Sequence, residues 1–172
     1  MPIPPGEMLG GARPVVVPRW IPIALGELGV VEDTRPGQSN GRIEEYHAMT
    51  RAGRAHDDVA WCASFVSWVL EQSGIRSTRN KAAASYLSWG EECRDYTPPF
   101  GAVLVFGKRD KDAKGSGHVG FCLGVSGPTV FLLGGNQGDR VSIAPRMLAD
   151  VVAMRWPAAV QAPSARPPGN SG

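Results

Sequence analysis

The sequence predicts an α+β fold, helices first and a meander of short strands after them. Three features carry that prediction. Trp61, Phe65, Trp68, Val69 and Gln72 recur at intervals of three and four, a mostly apolar, core-facing helical stripe. Beyond Pro98-Pro99 the pattern changes to short β-type runs, and His118 to Val125 alternates face by face. The chain has 172 residues, 42% hydrophobic and 20% charged, which suits one domain with a real core.

Taken in order, residues 1–17 are Pro/Gly-rich and read as an irregular arm, ahead of a domain over 18–157. Trp20 to Val30 is a short apolar helix or turn, with Pro22 suited to a first helical turn. Asp33 to Gly41 is turn-rich, and Asn40 is placed to cap a helix from Arg42 to Arg51 whose Ile43, Tyr46 and His47 share a face. Asp57 or Asp58 can cap the next helix, Val59 to Gln72, which Ser73-Gly74 ends. Lys81 to Leu87 reads as a further helix. Strands are expected over Ala102–Phe106, His118–Val125, Thr129–Leu133, Val141–Ile143 and Val151–Trp156, with a charged loop from Lys108 to Gly117. The Pro/Ala/Ser/Gly-rich residues 158–172 read as a disordered tail.

Composition narrows the function. A net charge of +2 and a pI near 8.6, with no dense Lys/Arg stripe, argue against nucleic acid as partner. Mild basicity still suits an anionic polymer such as a cell wall. No run approaches a membrane span, and the first residues lack the apolar core of a secretory leader. A protein made in the cytoplasm and acting in the periplasm or at the wall would then need holins or a secretion machine. The three cysteines, Cys62, Cys93 and Cys122, match no zinc spacing, so no metal or cofactor is expected. Cys93 and Cys122 read as small buried apolar residues, with a disulfide between them as the alternative.

Chemistry concentrates in three places. Trp61-Cys62-Ala63-Ser64-Phe65 sets a cysteine near a helix N-terminus, whose partial positive charge favours thiolate over thiol. A cap at Asp57 or Asp58 puts Cys62 four or five positions along, near the limit of that effect. The base must be His47, His56 or His118. His118 is favoured because the glycines Gly117 and Gly120 leave room for a helix end and a substrate. Gly134-Gly135-Asn136-Gln137 offers the orienting group. Asn136 faces His118 if its strand continues and pairs, with Gln137 and Asp139 as alternatives and a plain Gly/Asn turn as the bland reading. Cysteine, histidine and amide in that order are the parts of a cysteine hydrolase. Trp61, which abuts Cys62 and would wall its cleft, is a supporting candidate together with Asp58, Tyr46 and Gln137.

These motifs resemble the NlpC/P60 and CHAP amidases, bacterial and phage cysteine peptidases with a papain-like core, and in particular a small phage-lysin-like subfamily. Trp-Cys-Ala-Ser-Phe-Val from Trp61, Gly-His-Val-Gly-Phe from Gly117 and Leu-Gly-Gly-Asn-Gln from Leu133 carry the resemblance, within a span of about residues 20–156. It implies a papain-like fold with Cys62 as nucleophile, His118 as base and Asn136 as orienting residue. It also implies amide hydrolysis in peptidoglycan, in the stem peptide or at its junction with the glycan. Such an activity fits a phage lysin or a secreted antibacterial effector, the latter needing a cognate immunity protein. One departure stands out: such proteins usually carry Pro-Gly-Asp before the first strand, where this chain has Pro99-Phe100-Gly101-Ala102. Two other classes fit the same residues, an inactive papain-like binding module and a deamidase or acyltransferase with another substrate.

Overall fold

The computed structural model describes residues 16–107 and 117–160. Most of the expected arm, charged loop and tail therefore lies outside the described residues. Three helices, α1 (Trp20–Gly26), α2 (Gly41–Ala48) and α3 (Cys62–Gln72), precede six strands: β1 (Glu91–Glu92), β2 (Val103–Phe106), β3 (His118–Ser126), β4 (Thr129–Gly134), β5 (Ser142–Met147) and β6 (Val151–Trp156). The strands form one antiparallel sheet in the order β1-β6-β2-β3-β4-β5.

Helix α3 is the central element. Nine of its eleven residues, Cys62 to Leu70, are buried, so its apolar surface wraps most of the way round instead of forming a stripe. It packs between α1, α2 and the sheet. Phe65 meets Phe121 of β3 at a ring-centroid distance of 6.4 Å and Tyr46 of α2 at 5.4 Å, both edge-on as ring quadrupoles prefer. Trp20 of α1 seals another corner: its indole N–H donates to the Gly101 carbonyl at 2.8 Å, and its ring meets Trp156 edge-on at 5.1 Å. That contact falls within the Pro99-Phe100-Gly101-Ala102 departure. Gly101 holds φ +88, and a Cβ there would come within 2.6 Å of the Pro18 ring.

Asn40 caps α2 as expected, its side chain accepting the Arg42 N–H at 2.8 Å. Three expectations need correction. First, neither Asp57 nor Asp58 caps α3. The helix starts at Cys62 with Trp61 at the cap position and no side-chain cap. The buried Asp57 carboxylate is spent on the Asp33 and Asn40 N–H groups, both at 2.7 Å, which ties the loop before α2 to the loop before α3. Second, the helix expected at Lys81–Leu87 is a 3-10 turn over Ala83–Ser88. Third, the strand expected at Val141–Ile143 extends as β5 to Met147. Pro145 is tolerated there because β5 lies at the sheet edge.

Candidate active site

The site is assembled where the first turn of α3 meets the end of the sheet at which β3 begins and β4 stops. Cys62, as first residue of α3, sits closer to the helix terminus than the sequence suggested. Its own N–H and that of Ala63 approach its sulfur, as does the N–H of Val119, the residue after His118. The strand start that carries the imidazole therefore also touches the thiol.

Glycines make this close approach feasible. A Cβ at Gly135 would lie 2.5 Å from the Trp61 ring and 2.7 Å from Phe65 Cβ, so only glycine lets α3 seat against the end of β4. A Cβ at Gly134 would stand 3.3 Å from His118 Nε2 and from Gln137 Cδ. Gly120, expected to leave space for a helix end and substrate, instead admits the neighbouring strand: its Cβ would lie 2.8 Å from the Leu133 carbonyl oxygen.

The amide that meets the imidazole is that of Gln137, not Asn136. His118 Nε2 lies 3.2 Å from Gln137 Oε1. The expectation for Asn136 required the strand to continue, but β4 ends at Gly134 and Asn136 takes a left-handed φ of 57°. That turn breaks the two-residue alternation and folds the next side chain back beneath the strand. Gln137 Nε2 then donates to the carbonyls of Leu132 at 3.1 Å and Ser142 at 2.8 Å. With its amide N–H groups so committed, Gln137 presents oxygen to the ring. His118 must donate from Nε2, which leaves Nδ1 as the lone-pair nitrogen. Nδ1 has no hydrogen-bond partner among the described residues.

Arg146 of β5 completes the group, and the sequence reading missed it. Its Nε donates to the same Gln137 Oε1 at 3.2 Å, and its guanidinium lies 5.6 Å from the Phe106 ring centroid. The missed signal is the alternation Ile143-Ala144-Pro145-Arg146-Met147, in which Ile143, Pro145 and Met147 are exposed and Arg146 faces inward. Phe106, Gly107, His118, Pro145, Arg146 and Met147 line a pocket of about 280 Å³. It opens over His118 and Arg146, whereas Cys62 is only 6% exposed.

Burial sets the electrostatics. It pushes the Cys62 thiol above its ordinary value, outweighing the approaching N–H groups and the Arg146 charge. It holds His118 down at about 4, with the Arg146 charge adding to the effect and the Gln137 hydrogen bond opposing it. The resting pair is thus a neutral thiol and a neutral imidazole, where the helix terminus alone had suggested a thiolate.

The remaining candidates have other partners. Trp61 is fully buried, its indole N–H donating to Glu32 at 2.7 Å, so it is a packing residue beneath the site and not a cleft wall. Tyr46 is fully buried and donates to Glu27 Oε2 at 2.5 Å, a carboxylate also held by Arg42. Asp58 is exposed and pairs with His56 Nδ1 at 3.1 Å. None of these contacts is with Cys62 or His118. His47 is buried against Ser64 at 2.9 Å. Cys93 and Cys122 are free thiols. Among the described residues no cluster of three His, Cys, Asp or Glu side chains has the arrangement of a metal site, and no helix is long and apolar enough to cross a membrane.

Comparison with known proteins adds one finding. Residues 54–136, just under half of the chain, match the CHAP domain. The CHAP domain is a papain-like amidase/peptidase domain, typically a cysteine-dependent cell-wall hydrolase, and the matched residues include Cys62 and His118. No curated protein matches the chain.

Proposed function

We propose that this CHAP domain cleaves amide bonds of peptidoglycan stem peptides, with Cys62 as nucleophile, His118 as base and Gln137, in place of Asn136, as the residue that orients the ring. One observation carries the reading. The Gln137 amide is so tied that the imidazole keeps its proton on Nε2 and a lone pair on Nδ1, on the residue beside the N–H that meets the Cys62 sulfur.

In this mechanism the neutral His118 takes the thiol proton as the sulfur attacks the scissile carbonyl. The developing oxyanion is met by N–H groups at the start of α3, including that of Cys62. The imidazolium returns its proton to the departing amine, and water then hydrolyses the thioester with His118 again as base. The sulfur is nearly covered at rest, and the pocket opens over His118. Such an activity suits a phage-type lysin or a delivered antibacterial effector.

The test is to incubate purified sacculi with the wild-type chain and with Cys62→Ala, and to identify soluble fragments by mass. Fragments released by amide cleavage in the wild type and absent with the variant are expected. Equal release by both proteins would exclude Cys62 as the nucleophile.

A further inference from the structure

Arg146 is a cation beside the proposed nucleophile with no counter-ion bonded to it among the described residues. Among the described residues it forms no ion pair, although Asp150 lines the same pocket. Its one side-chain hydrogen bond to a described residue uses Nε, and Phe106 offers it a ring face. The two terminal nitrogens of the guanidinium therefore carry no hydrogen bond to a described residue. Partial burial of a cation without a counter-ion is costly, and here burial depresses even the guanidinium's affinity for its proton. Among the described residues the titratable groups near it are Cys62 and His118, both neutral at rest, and Asp150 in the pocket lining.

Three properties of this arrangement point to an anion as the missing partner. The guanidinium fork matches a carboxylate in bidentate geometry. The bond from Nε to Gln137 and the contact with Phe106 hold the side chain ready, so little freedom is lost on binding. The pocket of about 280 Å³ lies at the small end of ligand sites, large enough for a residue or two of a peptide. Because His118 lines the same pocket, an anion bound there sits next to the reacting amide.

We propose that Arg146 binds a carboxylate of the substrate peptide close to the scissile amide, and so makes the enzyme selective for stem peptides in which that carboxylate is free and not amidated. This rests on the wall-peptide reading above and adds the chemical feature that the site selects. It differs from a purely positioning role for Arg146, acting through Gln137 on His118, because positioning would affect every substrate equally.

The test uses synthetic stem peptides, each paired with a copy in which one carboxylate is a carboxamide. With the wild-type chain, kcat/KM for one pair should favour the free carboxylate by roughly 10- to 100-fold, the range of a charge-assisted contact. Arg146→Gln should bring that ratio within about 3-fold of unity, and Arg146→Lys should keep an intermediate preference. A wild type that treats both members of every pair alike overturns the inference, as does an unchanged ratio in Arg146→Gln. Binding of the same pairs to the Cys62→Ala chain gives a readout that does not depend on turnover. Tighter binding of the carboxylate form, lost on adding Arg146→Gln, upholds the inference even if no stem peptide is cleaved, and equal binding rejects it. Absence of cleavage with that preference intact would count against the hydrolase reading alone.

Discussion

Two histidines lean on the same helix within one turn of each other. His47 meets Ser64 of α3, and His118 lies at the strand start that touches Cys62. Both rings are kept from protonating, mainly by burial. Yet the surroundings differ. His47 is fully buried, its Nε2 has no hydrogen-bond partner among the described residues, and its hydroxyl neighbour is sealed with it. His118 borders an open pocket, is fixed at Nε2 by an amide, and has Nδ1 to offer. A nucleophile–imidazole pair is thus not reactive by residue type alone. Access to the imidazole and a fixed tautomer separate the proposed catalytic pair from the buried one.

The strongest way to break this comparison is to remove the members of each pair. Cys62→Ala and His118→Ala should lower release of soluble fragments from sacculi by at least about 10³-fold, whereas Ser64→Ala should leave it within about 2-fold. A large loss in Ser64→Ala with the fold intact would make the buried pair part of the chemistry.

The next effect distinguishes two adjacent amides. Gln137→Ala should cost on the order of 100-fold in kcat, because the ring loses its fixed tautomer, and Asn136→Ala should cost less than about 3-fold. The reverse order would restore Asn136 to the role that the sequence suggested.

Stability reports on the sealed pair. Ser64→Ala leaves the buried His47 Nδ1 without its partner and should lower urea-measured stability by about 1–3 kcal/mol. No change would mean that the pocket around His47 relaxes or admits water.

Two pH profiles sharpen the comparison further. His118 has a folded value of about 4, below its ordinary 6.5, so the folded state prefers the neutral ring. Its contribution to stability is fully present above pH 6.5 and is lost as pH falls towards about 4. His47 acts in the same direction. Urea melts should therefore show stability falling over that window, and less steeply in His118→Gln. At the alkaline end, alkylation of Cys62 by iodoacetamide, located by peptide mass, should still be rising at pH 9 because burial lifts the thiol. Levelling off near neutral pH would show a resting thiolate instead.

Much of the fold was legible because local rules govern it. The strand over His118–Val125, the Asn40 cap and the Gly74 terminus at φ +75 depend on neighbours a few residues away, whereas the expected alternation along that strand fails, because Val119 to Cys122 are all buried and the register shifts between Cys122 and Gly124. The start of α3 was misplaced because Asp57, a good local cap, is claimed by N–H groups 17 and 24 residues earlier in the chain. Arg146 stayed hidden because Pro145 masked an edge strand.

The sequence by itself determined the α+β order, the cysteine at a helix start and the histidine at a strand start, since periodicity and turn chemistry are written in short stretches of chain. Only the tertiary structure decided which amide holds the imidazole, whether the thiol rests charged, and that a cation on the edge strand faces the site. The physical reason is range. Hydrogen-bond partners and desolvation depend on what the whole fold brings together, and a single left-handed residue at Asn136 was enough to exchange one amide for the next.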